Sequence, residues 1–310
     1  MKRLLLICAT VALSICSQAQ DLAGDLTLHR LLIPGEEWQL VVDKQGFVDA
    51  PCAGDDDNFY FSDMRSEQGV FRVTPDGKVE PFVKAKGVSG MKFAPDGRLY
   101  CAQGGQKRII TIDPKTGDTS VLATNVQPND LVVAKNGQVY FTETGKKQVT
   151  LLIPKTGEIR AVDIGITAPN GITFSASQGT LAVSDYRGIH VWTFRVEENG
   201  GLSAKMPYMT MRTAPDTEAS DKRMRAPGYK TASGGDGMAT DTRGRFYVAT
   251  TMGVQVFDPT GRECGLLTKP SDKAITSVTL AGPKHGYLYV TAADKIFRRK
   301  VQGEGAIFFK

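Results

Sequence analysis

Six residues, Asp49, Ser89, Asn129, Asn170, Asp236 and Ser277, recur along the chain, and each carries a side-chain oxygen. Gathered in one place they would form a ring holding two carboxylates and two amides. Carboxylates crowded together away from water repel one another unless a cation lies between them. An oxygen-only donor set with two negative charges suits Ca2+, with Mg2+ or Mn2+ as alternatives. Zn2+ is the poorer match, because no His or Cys joins the set. The competing use of such residues is local, since Asp and Asn often cap loop amides where a strand begins. Agreement of Asp49, Asn129, Asn170 and Asp236 in one register favours the shared cation over four separate caps.

That register comes from a repeat. A polar start, an apolar alternating run, a Gly-containing turn and a Tyr-Phe or Tyr-Val strand recur in six stretches. They are FVDAPCAGDDDNFYFSDM, VSGMKFAPDGRLYCAQ, QPNDLVVAKNGQVYFTE, APNGITFSASQGTLAVSD, GGDGMATDTRGRFYVAT and AITSVTLAGPKHGYLYVTA. Tyr60, Tyr100, Tyr140 and Tyr247 hold equivalent places, and Asp49, Ser89, Asn129 and Asp236 each lie 11 residues earlier. Allowing a turn one residue longer, a step of 12 from Ala182 and Tyr289 gives Asn170 and Ser277. Most copies run on through a second hairpin, as in GVFRVTPDGKVEPFV, so each unit supplies four short strands. Strands at this spacing predict an all-β fold, a six-bladed β-propeller with a central metal site. Residues 26–42 precede the first copy and are expected to add a strand to the last blade, closing the ring. The longer interval, 197–233, is expected to be an elongated outer hairpin with a loop that could cover one face.

The N-terminus has a basic start, an apolar run from Leu4 to Ile15 and small residues at Ser17 and Ala19. This pattern predicts a signal peptide over residues 1–19 and one propeller domain over 20–310. The mature protein is then expected in the periplasm or outside the cell, with a lipid anchor at Cys16 as the lesser alternative. No other apolar run approaches the length of a transmembrane segment. The net charge of +5 includes Lys2 and Arg3; without them 36 basic residues face 33 acidic ones. No basic cluster alternates with aromatics, which argues against a nucleic-acid partner. Cys52, Cys101 and Cys264 are widely spaced and form no redox or metal motif, so they are expected to be core residues. GDDDN (54–58) lacks the spacing of a calcium loop, GGDG (234–237) lacks a phosphate-binding pattern, and His29, His190 and His285 stand alone. No G-x-S-x-G supports serine chemistry.

PND (128–130), PNGI (169–172) and DGM (236–238) followed by GRFYVATTMGVQVFDPTG resemble the gluconolactonase and senescence-marker-protein family, which includes luciferin-regenerating enzymes. The resemblance runs from about Phe47 to the end of the chain. It implies a six-bladed propeller with one divalent ion at the tunnel mouth, held by Asn129, Asn170 and Asp236. Family members open the first blade with E-G-P; here Asp49-Ala50-Pro51 keeps the carboxylate one methylene shorter. The implied activity is hydrolysis of a lactone or similar small ester. Asp236 would be the catalytic residue, as general base or as nucleophile, with Asn129, Ser89 and Ser277 touching substrate. A phosphotriesterase on the same centre and a non-catalytic binding propeller with a structural metal are the alternative readings.

Overall fold

The computed structural model describes residues 25–214 and 232–309. The signal-peptide segment and residues 215–231 of the long interval lie outside the described residues. Within them the chain forms six four-stranded antiparallel sheets, one for each repeat. Blade 1 runs from Val48–Ala53 through Phe59–Asp63 and Gly69–Val73 to Val79–Lys84. The innermost strands of blades 2 to 6 are Gly90–Phe93, Leu131–Val133, Pro169–Phe174, Met238–Thr240 and Ser277–Ala281. Blade 6 takes its outermost strand from the other end of the chain: Gln39–Val42 pairs with Lys295–Lys300. The expected closure is therefore present. It leaves fewer free sheet edges than an open array would.

The repeat folds this way because its turns and its aromatics agree. In blade 2 the PDG turn closes with Gly97 at φ +77°, and the Gly97 amide donates to the Ala94 carbonyl at 2.9 Å. A left-handed φ costs glycine nothing, which is why it stands there. The next strand carries Tyr100, whose hydroxyl donates back to Asp96 in that turn at 2.9 Å. Tyr60 and Tyr247 repeat the device on Asp56 and Asp241. Each tyrosine thus buries an apolar ring and still satisfies its polar tip.

Packing is between blades. One apolar cluster joins Cys52 and Tyr60 of blade 1 to Met91 and Leu99 of blade 2, and equivalent clusters fill each later gap. The last joins Tyr289 and Ile296 of blade 6 to Phe59 and Phe61 of blade 1. The expectation of strands alone is modified at Leu26–Leu31, a six-residue helix capped by Asp25, which accepts from the Thr27 amide at 2.8 Å. Its Leu28 and Leu31 are buried against blades 5 and 6. The start of the long interval does form an extended hairpin, His190–Val196 with Leu202–Thr210. Cys52, Cys101 and Cys264 are free and buried, as core residues would be. No described helix is long and apolar enough to cross a membrane.

Candidate metal centre

The chain brings residues to the head of the central tunnel where each innermost strand begins. The amides of Ser89, Asn129 and Asp236 donate to Ala102, Thr142 and Ala249 of their second strands at 3.0, 2.8 and 2.9 Å. This shared bond fixes one register in three blades. In blades 1 and 4 the ladder slips between Asp49 and Cys52 and between Pro169 and Ile172. Such bulges turn a side chain away from its regular direction. At Ala50 the slip is accommodated by φ +51°, a left-handed value that L-residues seldom adopt.

The sixth blade corrects the sequence register by one residue. There the equivalent bond runs from the Thr276 amide to Thr291 at 3.0 Å, so Thr276 rather than Ser277 matches Asn129. The cause is turn length. Thr279 and Tyr289 pair across ten positions, where Lys92 and Tyr100 pair across eight, because Pro283–His285 forms a short helical turn. Ser277 still lines the same cavity, beside Thr276.

Neighbouring blades are tied at this level by hydroxyls. Ser89 donates to the Asn129 carbonyl at 2.6 Å, Thr142 to Asn170 at 2.5 Å and Ser184 to Asp236 at 2.9 Å. The Ser89 proton is therefore committed to the next blade, and only its oxygen lone pairs face a ligand. The approach of the blades is close. A Cβ on Gly171 would stand 2.2 Å from the Asp236 carbonyl oxygen, and one on Gly90 would stand 2.5 Å from Asp130 Oδ1.

Asp49, Ser89, Asn129, Asn170, Asp236 and Ser277 all border one cavity of about 110 Å3, together with Thr276, Asp130 and Lys92. Every position drawn from the sequence is thus brought to a single place. Burial pushes the Asp49 carboxyl up to about 7, with the Asp130 charge adding to it; the Ala50 amide, the Thr276 hydroxyl and Lys92 pull it back. Asp236 is raised well above the ordinary carboxylate range, first by burial and then by Asp49 and Asp130. Although its side chain touches the cavity, protein surrounds it closely enough that desolvation dominates. Among the described residues, the side-chain amides of Asn129 and Asn170 form no hydrogen bond with protein. They do not cap loops.

Two acidic carboxyls that repel and two amides without partners are a donor set that a hard, oxygen-seeking cation fits. No three Asp, Glu, His or Cys side chains gather as a metal group among the described residues. A cation here would therefore depend on the amides as much as on Asp49 and Asp236.

Two charged residues of this cavity escaped the sequence reading. Asp130 is buried, its Oδ1 accepting from the Leu131 amide at 2.8 Å and its Oδ2 from the Ile172 amide at 3.2 Å. It ties blade 3 to blade 4, and burial raises its carboxyl. Lys92 lies three positions after Ser89 on the wall of the tunnel. The PND motif could have exposed Asp130; nothing in the repeat marked Lys92.

Fold and site together define a six-bladed β-propeller with one acidic, amide-bearing cavity at the head of its tunnel. Residues 50–294 match the SMP-30/gluconolactonase/LRE-like region. The chain belongs to that family. It is 25% identical over 259 residues to a gluconolactonase of Zymomonas mobilis, covering 75% of this chain and 69% of the relative. Among solved structures, a gluconolactonase of Xanthomonas campestris superposes with a TM-score of 0.75 at 20% identity, covering 91% of this chain and 94% of that one. A calcium-binding regucalcin of Agrobacterium tumefaciens superposes with a TM-score of 0.68 at 16% identity, over 89% and 98%.

Proposed function

We propose that the protein is a lactonase that uses one divalent cation, Ca2+ first among the candidates, to open a small lactone. The observation that carries this reading is the convergence of Asp49, Asn129, Asn170 and Asp236 on one cavity. The gluconolactonase relative from Zymomonas mobilis supports the substrate class. Asp49, Asn129, Asn170 and Asp236 would hold the cation. When bound, it would supply a Lewis acid that polarises the ester carbonyl.

The remaining chemistry belongs to the chain's own groups. Asp236 takes a proton from a water as that water attacks the carbonyl carbon. The ring C–O bond then breaks, and the departing alkoxide recovers the proton from Asp236. With the cation in place Asp236 would be held ionised, the form in which a carboxylate can accept a proton. Asn129 offers an unpaired amide N–H to a substrate oxygen. Ser89, whose proton is engaged, presents only oxygen, and Ser277 lines the same cavity with a hydroxyl small enough to leave room. Export to a calcium-rich compartment belongs to the same proposal, since an open oxygen site of modest charge suits cation levels outside the cytoplasm.

Asp236→Asn keeps the shape and removes the base. Turnover of glucono-1,5-lactone with added Ca2+ should fall by about two to four orders of magnitude, the usual weight of a general base. Circular dichroism should show the same fold. Full activity in the variant would rule out Asp236 as the base.

A further inference from the structure

The tunnel has a second layer beneath the acidic ring. The innermost-strand residues opposite Tyr60, Tyr100, Tyr140, Ala182, Tyr247 and Tyr289 are Cys52, Lys92, Val132, Thr173, Ala239 and Thr279. All six border a lower cavity of about 50 Å3. The segment around Gly305, Ala306, Phe308 and Phe309 seals it from below, with Phe309 against Phe93 and Phe308 against Phe174. Five of these six residues are neutral. Lys92 is the exception, and it alone of the six also borders the upper cavity.

A lysine partly withdrawn from water is costly unless negative charge offsets it. The offset here lies above, in Asp49, Asp130 and Asp236. Among the described residues no carboxylate reaches ion-pair distance of the Lys92 ammonium. Its influence is therefore through space, exerted from the wall of the cavity it shares with Asp49, Asp130 and Asp236. With all groups ionised, three carboxylates and one ammonium leave two negative charges, the amount one divalent cation neutralises.

We propose that Lys92 is a positioning charge beneath the candidate metal centre, which weakens cation affinity and biases the site toward divalent over trivalent ions. This rests on the cation reading of the ring. A fixed positive charge opposes a bound cation in proportion to that cation's own charge. Removing it must then favour a trivalent ion more than a divalent one. Loss of packing alone would not sort ions by charge.

The test is cation binding to Lys92→Met and Lys92→Arg, measured against wild type by calorimetry for Ca2+ and by luminescence for Tb3+, an ion of similar size. Lys92→Met should bind Ca2+ about tenfold more tightly and Tb3+ about thirtyfold more tightly, the size Coulomb's law gives for a unit charge about 8 Å away across a largely hydrated cavity. Lys92→Arg, which keeps the charge, should stay within about threefold of wild type for both ions by the same reasoning. Lys92→Gln provides the neutral comparison if the methionine variant does not fold. Unchanged or weaker binding in the neutral variants, or equal gains for both ions, would overturn the proposal. Absence of any Ca2+ or Tb3+ binding by wild-type protein would instead overturn the cation reading itself, and this inference with it.

Discussion

Asp49 shows what the cavity does to one side chain. Its carboxyl titrates near 7 in the folded protein without a cation, against an ordinary value of 3.8. Between those values the folded state holds a proton that the unfolded chain has released. Stability therefore falls as pH rises from about 4 to about 7 and levels off above that range. Asp130 and Asp236 are raised as well and act in the same direction. A bound cation would remove the effect by favouring the ionised forms. Metal-stripped protein should accordingly show a lower urea midpoint at pH 8 than at pH 5, and Ca2+ should restore the loss at pH 8. A midpoint that stays level, or rises with pH in the stripped protein, would contradict the crowded-carboxylate account. The same scale explains what was hidden. The repeat marks one residue per blade, Asn129 in blade 3, and so leaves Asp130 beside it unmarked. Lys92 is unmarked too, because its chemistry comes from the layer in which it sits rather than from its neighbours in sequence.

At the scale of the blade, the sequence was legible where turn length was constant. Cys52–Tyr60, Lys92–Tyr100, Val132–Tyr140 and Ala239–Tyr247 all pair across eight positions, so counting back from the tyrosine finds the tunnel residue. The count failed at Tyr289, where an extra turn intervenes, and the error was one residue. The helix Leu26–Leu31 was hidden for another reason: six residues are too few to show a helical period, and its stability comes from Leu28 and Leu31 docking on finished blades. Legible in sequence was the Asn-Gly of blade 4, whose Asn170 falls in the ring by register. Asn170 faces the cavity, and Gly171 is required because blade 5 passes beside it. Gly171→Ala would thrust a methyl to 2.2 Å from the Asp236 carbonyl oxygen and 2.8 Å from the Gly237 Cα. Neither atom can swing aside as a side chain would. The substitution should cost about 1–3 kcal/mol, the usual penalty of overpacking, and should weaken Ca2+ binding by displacing Asp236. Chemical denaturation and calorimetry read the two effects separately. A loss below about 0.5 kcal/mol, within the range of neutral surface changes, would show that the blades have slack there.

The whole ring depends on closure, because each blade buries its faces only against its neighbours. The seam is made by Gln39–Val42 on Lys295–Lys300, and it is anchored by the helix before it. Leu31 is fully buried in the cluster between blades 5 and 6, and the Gln302 amide donates to its carbonyl at 2.8 Å. Leu31→Ala should lower stability by about 2–5 kcal/mol, as for other buried leucines truncated to alanine. Its consequence for the site separates two roles of closure. The helix packs against Glu263–Thr268, the outermost strand of blade 5, far across the sheet from the innermost strand that bears Asp236. Inter-blade bonds from Ser184 to Asp236 and from the Gly237 amide to Thr276 hold the tunnel head independently of it. The folded fraction of Leu31→Ala should thus bind Ca2+ with wild-type affinity while unfolding at lower denaturant. If affinity fell together with stability, the seam would be setting the spacing of the ring as well as keeping it shut.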